Sequence, residues 1–178
     1  VMKMKKSIIF ILICISTFAL GTEQGDITFE PKIGDQVNVV LDNVHLFDFE
    51  AAQFFTLDVF KRVSGRLDLG LGIQWNEVET TRHGAEAGTM TRLPIYAIAK
   101  LHLAQTFIIN PYLKVLGGYQ LMIEDAESGM GNGVYYGAGI GLEIADFVID
   151  YAYTAETNEG DTEVRGAIGH ALSLGYRF

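Results

Sequence analysis

Apolar and polar residues alternate along most of this chain with a period of two, the repeat of a strand whose two faces meet different surroundings. The cleanest run sets Leu67, Leu69, Leu71, Ile73 and Trp75 against Asp68, Gly70, Gly72, Gln74 and Asn76. The same alternation recurs in eight segments, at about 26–41, 53–61, 66–76, 92–103, 107–123, 133–144, 147–155 and 167–178, and predicts eight strands. In the last of them Ile168, His170, Leu172, Leu174, Tyr176 and Phe178 oppose Gly169, Ala171, Ser173, Gly175 and Arg177. No long helical period interrupts the series.

The connections alternate in length. Short ones follow the second, fourth and sixth strands, at 62–65, 104–106 and 145–146. Longer, polar ones follow the first, third, fifth and seventh, at 42–52, 77–91, 124–132 and 156–163. An even-numbered meander with short turns at one end and long loops at the other has this rhythm, and it brings both chain ends to the short-turn side.

Composition then decides which face meets which solvent. The polar face is rich in glycine, with Gly70, Gly72, Gly118, Gly137, Gly139, Gly141, Gly169 and Gly175, whereas the apolar face is uniformly large. An eight-stranded barrel has an interior just wide enough for side chains to fill it. Small and ionic groups suit that interior, and the bulky ring suits lipid. A sheet in lipid must close on itself to satisfy its backbone groups. The expected fold is therefore all-β, an eight-stranded antiparallel up-and-down transmembrane β-barrel. Phe29, Trp75, Phe107, Tyr119, Tyr136, Phe147, Tyr153, Tyr176 and Phe178 lie near strand ends and are candidates for the two interfacial girdles.

The lumen would then hold Glu30, Lys32, Asp58, Asp68, Lys100, His102, Lys114, Glu143, Asp150 and Arg177. Both signs are present, and unpaired ions there would cost several kcal/mol each. The expectation is an ion-pair network that plugs the barrel. A narrow, porin-like path for small ions or solutes is the alternative; general diffusion needs a far wider barrel.

The N-terminal segment reads as a targeting signal. Lys3, Lys5 and Lys6 precede the apolar run 7–15, and Ala19-Leu20-Gly21 supplies small residues before a cut expected between Gly21 and Thr22. The apolar run is shorter than the roughly 20 residues of a spanning helix. Residues 1–21 are thus expected to be a signal peptide and 22–178 the barrel domain. The only cysteine, Cys14, falls in the signal segment. Loss of three lysines takes the formal charge from −9 to −12, which argues against a nucleic-acid partner. No cofactor or metal site is expected.

The closing Tyr176-Arg177-Phe178 resembles the terminal strand of bacterial outer-membrane β-barrels. Strand count and loop rhythm make the mature chain similar to the small eight-stranded outer-membrane proteins of the A and X type. That resemblance implies a monomer in the bacterial outer membrane, surrounded by lipid and lipopolysaccharide. It implies that Tyr176 and Phe178 belong to the signal read by the barrel-insertion machinery. It also implies roles in membrane integrity, adhesion or contact with host and other surface proteins. In the first loop Leu46, Phe47 and Phe49 are apolar among Asp42, Asp48 and Glu50, a candidate interaction surface. They would equally lengthen the first two strands into an edge open to strand addition. Glu124, Asp125 and Glu127, and Glu156, Glu159, Asp161 and Glu163, make two loops acidic, either as solvated charge or as a place for divalent cations.

Enzymatic chemistry is not expected. Barrel deacylases of lipid A resemble a His-x-Ser pair on one strand face, whereas His170 and Ser173 are three apart and point to opposite faces. Barrel palmitoyltransferases begin with an amphipathic helix, and the segment 26–41 reads as strand. A lipid-modifying enzyme is the remaining, lesser alternative.

Overall fold

The computed structural model describes residues 27–41, 46–82, 85–106, 108–124, 132–159 and 164–178, with side chains outside 38–51, 78–90, 124 and 158–166. Eight strands follow one another: β1 (Ile27–Leu41), β2 (Leu46–Ser64), β3 (Leu67–Arg82), β4 (Ala85–His102), β5 (Ile109–Glu124), β6 (Gly133–Ile144), β7 (Phe147–Glu159) and β8 (Val164–Tyr176). Each pairs antiparallel with the next, and β8 returns to β1, closing the barrel. Among the described residues no helix is long and apolar enough to cross a membrane, so the crossing is made by strands.

Closure runs from Lys32↔Gly175 to Leu41↔Gly166. It continues past the strand ends, because Phe29 and Phe178 exchange both backbone hydrogen bonds, at 3.3 and 3.0 Å. Two of the three inner turns are tight, with two residues each between β2 and β3 and between β6 and β7. Between β6 and β7 only Ala145 and Asp146 intervene, and Ala145 adopts a φ of 53°, a conformation that normally favours glycine.

The period-two pattern becomes an inverted barrel. Outward-facing Ile33, Leu69, Leu71, Ile73, Ile95, Leu113, Val115, Ile140, Ile149, Leu172 and Leu174 are exposed, Leu71 at 68%. Glu30, Lys32, Asp58, Lys100, Glu143 and Asp150 are at most 3% exposed. A soluble barrel would have the opposite arrangement. Phe147, Tyr176 and Phe178 stack edge to face at the inner end, with ring centroids 5.4 and 4.9 Å apart. Trp75, Tyr119, Tyr136 and Tyr153 occupy outward positions farther along their strands. Phe107, also proposed for a girdle, lies outside the described residues.

Two expectations are corrected. The segments 46–52, 77–82, 85–91 and 156–159, read as loop, are strand, because pairing continues beyond the apolar belt. A membrane crossing at the usual tilt takes about 9–11 residues, yet β2 has 19 and β4 has 18. Beyond Trp75, β3 runs on to Arg82. The surplus forms a raised collar at the end opposite Ile27 and Phe178.

The second correction concerns the interior, which is not filled by small and ionic groups alone. Phe60, Tyr96, Ile98 and Tyr135 form a buried cluster with Leu116 against it, and Phe54 packs with Ala152 and Ala171. Glycines on facing strands make room for these rings. A Cβ at Gly72 would collide with Tyr96 and Asp58, one at Gly34 or Gly70 with Phe54 or Phe60, and one at Gly141 with Tyr112.

Replacing Leu71 or Ile140 by Arg is expected to cost about 2–4 kcal/mol of folding stability in lipid vesicles, measured by urea titration. Replacing Gly72 by Leu is expected to destabilise by about 1–3 kcal/mol or more through overpacking. The same change at outward-facing Gly117, where a Cβ meets nothing within 4 Å, is expected to be tolerated.

Candidate functional site

The inward positions of all eight strands build one polar column through the barrel. Its centre is Lys32, fully buried on β1, where the pleat points even-numbered residues inward. Its ammonium donates to Asp58 of β2 at 2.8 Å and to Asp150 of β7 at 2.6 Å, and lies 3.2 Å from Glu30. Lys100 of β4 donates to both oxygens of Glu30, at 2.6 and 2.5 Å, and lies 3.7 Å from Glu143. Lys114 of β5 reaches Asp150 at 3.0 Å.

Aromatic groups complete the centre. Tyr96 donates its hydroxyl to Asp58 at 2.8 Å, and Tyr112 donates to Asp150. The Lys100 ammonium also sits 4.2 Å from the Phe60 ring centre and 4.5 Å from that of Tyr112. Cation–π attraction is strongest when the cation has lost its water, as here.

At the inner mouth Asp68 binds the Arg62 guanidinium and lies 2.9 Å from His102 Nε2. Arg177 donates to Glu143 at 2.6 Å. At the outer level Arg92 of β4 meets Glu156 of β7 at 3.1 Å. Gln74 donates to Gln36 and Asn76 at 3.2 and 2.7 Å, and Gln36 donates to Thr154 at 3.3 Å. Among the described residues, the buried carboxylates Glu30, Asp58, Asp68, Glu143, Asp150 and Glu156 all face a basic side chain. Lys32, Lys100, Lys114 and Arg92 meet them within, Arg62 and Arg177 at the inner mouth.

The structure thus brings Glu30, Lys32, Asp58, Lys100, Lys114, Glu143 and Asp150 into one contiguous network, joined at its inner end by Arg177. Asp68 stands in a neighbouring group with Arg62 and His102. Glu156 was read as loop charge; the extended β7 instead turns it inward onto Arg92, a pair the sequence reading missed. Its signal was available, since Thr154 and Glu156 continue the inward alternation of Asp150 and Ala152. Tyr176 and Phe178 lie at the inner girdle, beside the β1–β8 closure. Leu46, Phe47 and Phe49 lie in the strand backbone of β2, where Val39 pairs with Phe49 and Leu41 with Leu46. Their side chains lie outside the described residues. The strand edge expected there is closed on the β1 side, since β1 pairs with β8 out to Leu41.

His170 faces outward, its Nδ1 2.6 Å from the Tyr151 hydroxyl and its ring against Tyr153, whereas Ser173 is buried inside. Among the described residues no group of three or more His, Cys, Asp or Glu side chains is placed to hold a metal ion. Asp125, Glu127, Asp161 and Glu163 lie outside them.

An apolar exterior, paired aromatic girdles and a column of compensated charge define a membrane-spanning β-barrel. Solved structures bear this out at the level of fold. The chain is similar to Ail, the attachment invasion locus protein of Yersinia pestis, with 15% identity and a TM-score of 0.55 over 86% of this chain and 100% of that one. It is similar to Neisserial surface protein A, with 14% identity and a TM-score of 0.58 over 86% and 98%. It is also similar to the outer membrane enzyme PagL, with 10% identity and a TM-score of 0.53 over 82% and 98%. No family model matches the chain, and no curated protein sequence matches it.

Lys32→Met is expected to cost about 3–5 kcal/mol, because it leaves buried Asp58 and Asp150 undercompensated. Adding Asp58→Asn should recover part of that loss. Lys61→Met, at an exposed position beside the inner turn, should stay within about 0.5 kcal/mol of the parent. Urea unfolding in lipid vesicles reads all three.

Proposed function

We propose that this protein is a bacterial outer-membrane barrel whose lumen is sealed and whose work is done at its outer surface, in membrane integrity and surface interaction or adhesion. One observation carries the reading. Lys32, Lys100, Glu30, Asp58, Asp150 and Tyr112 span the interior and are at most 3% exposed, which leaves almost no room for water between them. An ion crossing at that level would have to break several charge-assisted contacts at once. The interior therefore serves as a brace, and the collar above the outer girdle is left as the part that meets other molecules.

The outer-membrane location is supported by the apolar belt and by the outer-membrane barrels that share the fold. A surface role is supported by the surplus strand length, and two of the similar structures carry attachment or surface protein in their names. Outer-leaflet lipid and lipopolysaccharide, host or other surface proteins, and the insertion machinery acting on Tyr176 and Phe178 are the partners of this reading. We take the protein to be a monomer and not an enzyme. The opposite faces of His170 and Ser173 favour the latter.

In planar bilayers the purified barrel is expected to give no steady conductance steps. Reproducible unitary steps would overturn the sealed lumen in favour of a narrow channel. Cells displaying the barrel should bind host-cell surfaces or serum proteins more than cells displaying a variant with segments 42–45, 125–131 and 160–163 shortened. Equal binding would sink the surface role.

A further inference from the structure

Near the upper part of the apolar belt the described outward face of β1–β3 carries a polar row. Asp35 of β1 pairs in register with Gln53 of β2, and Gln53 with Glu77 of β3, so three polar residues form a row across three strands. Two places nearer the inner end on the same strands stand Ile33, Phe55 and Trp75. Between and below them opens a groove of about 510 Å³, completed by Leu172 and Leu174 of β8 and floored by backbone at Gly34. That volume falls within the range of small-molecule sites, about 300–1,000 Å³.

The groove has a direction. Its walls are almost wholly apolar, while its upper rim carries two carboxylates and an amide. Among the described residues no basic side chain lines it. Trp75, in its wall, belongs to the outer girdle, so the rim lies where headgroups begin and the walls lie where acyl chains begin. Charge complementarity then selects the occupant. An anionic head at this depth would be repelled by Asp35 and Glu77 in a medium that screens poorly, whereas an ammonium would be attracted by both.

We propose that this lateral groove binds a membrane amphiphile with an apolar tail and a cationic, ammonium-bearing head. The tail lies along Ile33, Phe55 and Trp75, and the head is held by Asp35 and Glu77 with Gln53 between them. This site is on the outside of the wall and is independent of whether the lumen conducts.

Trp75 is the only tryptophan in the chain, which supplies the probe. The barrel in neutral maltoside micelles is titrated with a bromine-tailed alkylammonium and, separately, with an alkyl sulfate of the same brominated tail. The alkylammonium is expected to quench Trp75 fluorescence saturably, and the sulfate to quench only in proportion to its mole fraction in the micelle. In a D35N/E77Q variant the half-saturating mole fraction should rise roughly fivefold or more, as expected for the loss of two charge contacts. D146N, which removes one charge at the opposite end, should leave it unchanged. Circular dichroism establishes that the variants are folded. Unsaturable quenching, equal quenching by the two amphiphiles, or an unaltered midpoint in D35N/E77Q would each overturn the proposal.

Discussion

The backbone of a strand in hydrocarbon has no water to bond with, so each of its N–H and C=O groups must find a partner in the protein. The rest of the structure follows from that demand. Antiparallel neighbours satisfy the groups of seven consecutive pairs, but β1 and β8 would each retain an open edge in lipid. The return of β8 onto β1, carried past the strand ends by the exchange between Phe29 and Phe178, removes that edge. Closure of eight strands fixes a small diameter. The small diameter in turn requires that the inward side chains fill the interior and satisfy one another.

That filling is solved with two materials. Charges supply direction, since Lys32 joins β1 to both β2 and β7, and Lys100 joins β4 to β1. Buried ion pairs seldom add net stability over apolar packing, because desolvation offsets their attraction. Their effect here is better understood as specification, because a one-residue slip of any strand would turn these ions toward lipid. Rings supply volume. Phe60, Tyr96 and Tyr112 are too large for a fully side-chained interior of this width, and they fit because Gly70, Gly72 and Gly141 offer bare backbone beside them. The tyrosine hydroxyls then satisfy the carboxylates that the lysines leave partly free.

Much of this was legible in the sequence. The eight strands, their order and the two faces follow from period-two alternation. Strand ends at the inner turns fell within a few residues of the structure, because the tight turn at 145–146 and the polar break at 104–106 punctuate the pattern. The outer ends were misjudged. Alternation of hydrophobicity vanishes once both faces of a strand meet water, although the backbone pairing does not, and so Leu46–Ala52 and Glu77–Arg82 looked like loop. The central ions were legible for the same reason as the strands, since they alternate with lipid-facing residues. The lumen rings were not. Phe54, Phe60, Tyr112 and Tyr135 sit next in sequence to lipid-facing apolar residues, and composition alone cannot say that a facing glycine makes room for them. Arg92 and Glu156 escaped notice because they lie on different strands at the fading edge of the pattern.

In the reading proposed above, a closed wall and a filled interior leave the outer surfaces as the place to meet other molecules. The longest continuous pairing, between β1 and β2, lies in the same quarter of the wall as the row Asp35–Gln53–Glu77. In that quarter the strands run on beyond the polar row, farther than a membrane crossing requires. Such a boundary leaves closure intact, because the backbone bonds that close the sheet are made whichever outward side chains flank them. The outer face of β1–β3 above the row Ile33–Phe55–Trp75 is therefore a region able to change without disturbing the network inside, and it is where recognition has room to arise.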